Sequence, residues 1–131
     1  MHLSRVILRR CFVIPALCVL LVLPVPSAIA ETSAIAVVDR YMHGLFAGDV
    51  EAIRGCLDDR FQARRKNTFN DPTYAAFLID RYGGAAYRIV NQAAQNNGTI
   101  VDVEITYRSG DAVVIRLMLN RRNQIVDEIP I

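Results

Sequence analysis

The sequence predicts an α+β domain of three N-terminal helices packed on a curved antiparallel sheet of about four strands. Two observations carry this. Between Ala34 and Tyr82 apolar residues recur at helical spacing, and from Ala85 onward they alternate with a period of two. A third observation sets the boundary of the domain: the first 30 residues follow neither pattern.

That leading segment reads as a secretory signal. Arg5, Arg9 and Arg10 precede an uncharged stretch from Cys11 to Ala30, which closes on the small residues Ala28-Ile29-Ala30. Pro15, Pro24 and Pro26 interrupt the stretch, and its strongly apolar part, Cys11 to Leu23, is shorter than the roughly 20 residues that span a bilayer. Cleavage is expected after Ala30, leaving a domain over 31–131 in the periplasm or secreted. The membrane is met only through the signal before it is removed. The full chain carries 15 Lys and Arg against 13 Asp and Glu. Three of those cations and none of the acids lie in the signal, so residues 31–131 have a net charge of −1. A basic nucleic-acid binder is excluded on charge. Cys11 and Cys18 also leave with the signal, so Cys56 has no internal partner and stability must come from packing.

The first helix is expected from Ser33, a candidate N-cap, to Gly48. At 100° per residue, Val37, Val38, Tyr41, Met42, Leu45 and Phe46 share one arc, while Asp39, Arg40 and His43 fill the other. Asp49 caps a second helix, Val50 to about Leu57, whose apolar face includes Ile53 and Cys56. Asp71-Pro72 opens a third that runs to Tyr82 and stops at Gly83-Gly84. Arg60 to Arg64 reads as a short strand between them.

The strands follow in order. The first is expected over Tyr87 to Ala94, turning at Asn96-Asn97-Gly98. In the second, Thr99 to Arg108, Val101, Val103, Ile105 and Tyr107 share one face. The third, Ala112 to Asn120, offers Val113, Ile115, Leu117 and Leu119, and the last runs from Gln124 to Ile131. A three-residue loop over Ser109 to Asp111 pairs Tyr107 with Val113, Ile105 with Ile115 and Val103 with Leu117, with Glu104 opposite Arg116 on the outer face. Leu119 opposite Ile125 then puts Leu117 opposite Asp127, so one carboxylate points at the apolar face. Val114, Met118 and Val126 are expected on the outer face, where they supply a surface for a homodimer.

Val37-Val38-Asp39-Arg40-Tyr41, followed by Leu45, Ala47-Gly48-Asp49 and Ile53, resembles the opening helices of the nuclear transport factor 2-like superfamily. It is particularly similar to the first helix of ketosteroid isomerases. Asn123 to Ile129 resembles the last strand of that superfamily. The resemblance implies a cone-shaped sheet wrapped around the helices with an apolar pocket between them. It places Tyr41 where ketosteroid isomerases carry their oxyanion-hole tyrosine. Those enzymes also need a carboxylate base and a second neutral acid. Counting without gaps, the base position falls at Arg65, or at Arg64 with a one-residue gap, and the second acid falls near Arg116.

The remaining candidates are few. His43 is the only histidine after the signal and stands about 140° from Val38 on the polar arc, where a solvated side chain is expected. One His and one Cys make no zinc cluster, and no glycine-rich phosphate loop occurs, so no cofactor is expected. The cations of Arg60, Arg64, Arg65 and Lys66 stand beside Asp58 and Asp59 and read as a solvated loop. The pocket is expected to be lined by Tyr41, Leu45, Tyr107, Leu117 and Asp127. Two functions follow from it. The first is a non-enzymatic exported domain that binds a small apolar or amphipathic ligand, or a periplasmic protein, in or around the cone. The alternative is a lyase or isomerase with Asp127 as base and Tyr41 as oxyanion donor.

Overall fold

The computed structural model describes residues 28–131, with side chains from residue 34 onward. Most of the expected signal therefore lies outside the described residues. Helix α1, Ala28–Ala47, begins ahead of Ser33, the expected cap. Ala34, Val38, Tyr41, Met42 and Leu45 form its buried stripe, as the helical period requires. Gly48 ends it with φ +65, a conformation that an L side chain adopts only under strain. A Cβ on Gly48 would also stand 2.7 Å from the Ala75 carbonyl oxygen, so the end of α1 sits tightly against the fifth helix.

Five helices precede the sheet among the described residues, where three were expected. Asp49 caps α2, Val50–Gly55, by accepting from the Ala52 amide at 3.0 Å. Residues Arg60 to Arg64, expected as a strand, lie in helix α3, Asp59–Arg64. The deciding group is Asp58, whose carboxylate accepts from the Phe61 amide at 2.8 Å. Phe61 then buries one face of the turn, and the guanidinium groups of Arg64 and Arg65 lie 5.0 and 5.3 Å from the centre of its ring. A short α4, Lys66–Phe69, follows. Asp71 holds the Thr73 amide and hydroxyl at 2.8 and 2.7 Å, which delays α5 to Tyr74–Tyr82.

Four antiparallel strands form an open sheet in the order β1-β2-β3-β4: Ala86–Gln95, Gly98–Thr106, Ala112–Asn120 and Ile125–Pro130. Val101, Val103, Ile105, Ile115, Leu117, Leu119 and Ile125 face the helices and form one continuous buried core with Val38, Met42, Ile53 and Leu78. Val114 and Met118 point to the outer face, as alternation predicts.

The register of β2 on β3 differs from the expected one by two residues. Ile105 pairs with Val113, Val103 with Ile115 and Val101 with Leu117, so every residue keeps its face. The loop does have three residues, but they are Arg108-Ser109-Gly110, closed by the Tyr107 amide donating to the Asp111 carbonyl at 2.8 Å. This places Gly110, φ +93, at the third loop position, where a three-residue hairpin needs a left-handed residue. The shift also brings Asp102, rather than Glu104, opposite Arg116.

The second difference lies in β4. Leu119 pairs with Ile125 as expected, but the ladder then skips Val126, so Met118 faces Asp127 and Leu117 faces Glu128. One extra residue in the strand turns over everything after it. The acid on the core face is Glu128, and Asp127 lies on the other.

Candidate functional site

The bulge at Val126 is held from α3. Arg64 donates to the Val126 carbonyl at 2.8 Å and reaches the Asp127 carboxylate at 3.4 Å. An unpaired carbonyl is an inherent cost of a bulge, and Arg64 satisfies it. With the bulge fixed, Glu128 points inward and accepts a hydrogen bond from the Tyr41 hydroxyl of α1. Tyr41 is 4% exposed. Burial, reinforced by the Glu128 carboxylate, pushes its phenol well above the ordinary tyrosine value. Burial likewise raises Tyr74 and Tyr82, and the charge of Glu128 contributes at both. Of these phenols it is Tyr41 that bonds Glu128, spending its one proton on it.

The residues expected to line a pocket are dispersed. Tyr41, Leu45 and Leu117 belong to the buried core, and Leu117 has no exposed surface. Asp127 lies on the opposite face of β4 from Glu128, beside Arg64. Tyr41 and Asp127 are therefore not brought together. Tyr107 lies at the rim, stacked on Tyr82 with ring centres 5.9 Å apart. His43 is exposed and bonds back to the Asp39 carbonyl at 2.7 Å, and Cys56 is buried, its thiol pushed up by desolvation. Among the described residues, no three His, Cys, Asp or Glu side chains converge as metal ligands would, and no helix is long and apolar enough to cross a membrane.

An open cleft of about 700 Å³ lies where α5 ends against the β2–β3 loop. Ile79, Asp80, Arg81, Gly84, Tyr107 and Arg108 line it. Tyr107 is its aromatic lining residue, and a stack behind it supports that ring: Tyr107 on Tyr82, and Tyr82 on Phe46, each with ring centres 5.9 Å apart. The Arg81 guanidinium lies 5.8 Å from the ring centre of Tyr82 and 5.6 Å from that of Tyr107, and donates to the Tyr107 hydroxyl at 3.4 Å. Across the cleft the stem of Arg108 rests on Gly84, where a Cβ would stand 3.5 Å from Cδ. Ile79 is 52% exposed and supplies an apolar side. Sequence reasoning missed Arg81 and Arg108. The Gly83-Gly84 turn and the Ser109-Gly110 loop were visible signals, but only the pairing of β1 on β2, Ala86 with Thr106, brings them together.

Compared with family models, curated proteins and solved structures, the chain matches none.

Proposed function

We propose that the chain is an exported, non-enzymatic binding domain of the nuclear transport factor 2-like type, which takes a small amphipathic ligand at the rim between α5 and the β2–β3 loop. The α+β plan, the first-helix resemblance and the signal-like leader support the class and the compartment. The observation that carries the ligand reading is the cleft itself, a concave surface joining an exposed apolar side chain, one aromatic ring and a few polar groups, as small-molecule sites do. Tyr41, Leu45 and Leu117 fill the space between helices and sheet with their own side chains, which argues for the rim over the interior.

The test is thermal denaturation of the purified protein against a panel of single-chain amphipaths, with native mass spectrometry of protein taken from its own envelope. A ligand that binds only the native state raises the midpoint with concentration. A midpoint that stays fixed across the panel, with no co-purifying small molecule, overturns the proposal.

A further inference from the structure

We infer that the rim cleft is selective for organic anions: a carboxylate, sulfate or phosphate head held between Arg81 and Arg108, with the apolar body laid along Ile79 and Tyr107. The inference deepens the proposed function and rests on it. Its basis is the placement of two guanidinium side chains, neither with a carboxylate partner, on one cleft. Four arginines have carboxylate partners, Arg54 with Glu51, Arg64 with Asp127, Arg88 with Glu104 and Arg116 with Asp102, and among the described residues Arg40, Arg60, Arg65, Arg121 and Arg122 stand apart on the surface without one. Among the described residues, neither Arg81 nor Arg108 has a carboxylate within 4.0 Å, although both line the same cleft.

Arg81 is also positioned before any ligand arrives. Arg81 lies beside two tyrosine rings and spends one donor on the Tyr107 hydroxyl, which leaves others of its five N–H donors, and the Arg108 stem lies beside the bare backbone of Gly84. A guanidinium restrained as that of Arg81 is loses less entropy when it binds a carboxylate or phosphate oxygen, while Arg108 adds a second cation from the other side. The opposing charges are Asp80, which lines the cleft, and Asp111, which accepts from the Ser109 hydroxyl at 2.8 Å. Asp80 is the one carboxylate that lines the cleft, so two cations face one acid and the site favours a negative head.

The ligand is taken as a free single-chain anion, and the experiment separates it from a membrane surface. Octanoate, octyl sulfate and 1-octanol are titrated into the ¹⁵N-labelled protein, together with inorganic sulfate and vesicles of phosphatidylglycerol. The expected result is that octanoate and octyl sulfate move the amides of Gly84 and Ser109 at lower concentration than octanol does. Sulfate alone moves the same amides. Arg81→Gln and Arg108→Gln each weaken the two anions by roughly two- to fivefold, the range of a solvent-open ion pair. Octanol is unaffected by either change, and the exposed control Arg88→Gln alters nothing. Equal affinity for octanol and octanoate at these amides overturns the anion inference while the proposed function stands. Silence of these amides to every amphipath overturns both. Binding to the vesicles with no response to octanoate overturns the inference in favour of a surface contact.

Discussion

Tyr41 on α1 donates its hydroxyl proton to Glu128 on β4, joining helix to sheet across a separation of 87 residues. Hydrogen bonds to charged groups contribute about 1.5–3 kcal/mol, and Glu128 is half-buried, so water recovers part of the loss when the donor goes. Tyr41→Phe is expected to lower stability by about 1–2 kcal/mol. Glu128→Gln, which keeps an acceptor, should lose less. Urea denaturation at neutral pH measures both, and an unchanged midpoint for Tyr41→Phe would show that the bond contributes nothing in solution.

The tyrosines give the fold a defined alkaline limit. Tyr41, Tyr74 and Tyr82 are all raised, each first by burial, and Tyr87 is pushed up to about 12 by burial and by its 2.7 Å bond to Asp39. In the unfolded chain these phenols ionise near 10. Because the folded values are higher, their stabilisation is complete below about pH 10 and is lost as pH climbs toward the folded values. Absorbance at the tyrosinate band should show these groups titrating later in the native protein than in denaturant. Coincident curves would contradict the burial described above.

Arg64 is the support of the β4 bulge, and its removal should be felt there before anywhere else. Arg64→Gln is expected to speed amide exchange at Asp127 and Glu128 while the central strand around Val101 and Val103 stays protected. Uniform acceleration through the sheet would instead mark a general loss of packing.

At the acid end, Arg116 holds the Asp102 carboxyl below the usual range with bonds of 2.8 and 3.0 Å, and Asn91 adds a third at 3.2 Å. Asp102 is 5% exposed, so its charge depends on these partners. A depressed carboxyl stabilises above its ordinary value near 4 and loses that contribution as pH falls through the folded value. Stability measured from pH 5 downward should therefore fall less steeply in Asp102→Asn than in the parent protein. Parallel slopes would show that the pair does not couple to folding.

Much of the architecture could be read from periodicity. The stripe of Val38, Tyr41, Met42 and Leu45 is buried as the helical period demands, and Val101, Val103 and Ile105 share the core face as the strand period demands. The errors occur where period is silent. Arg60 to Arg64 is short enough to satisfy either period, and a cap outside the segment decides it. The β2–β3 loop has the expected length, but the place of Gly110 within it sets the register. Asp127 and Glu128 are consecutive acids, so alternation requires one to face the core but cannot say which. The bulge at Val126 decides, and its support comes from Arg64, distant in sequence. Arg81 and Arg108 were illegible for a related reason: each is an ordinary exposed arginine until the turn and the loop place both on one cleft.

The most direct test of this account is where an amphipath's chain rests on the protein. Intermolecular nuclear Overhauser effects from the methylene protons of bound octanoate should fall on Ile79 and Tyr107 at the rim. Effects on Leu45 or Leu117, inside the packed core, would contradict it.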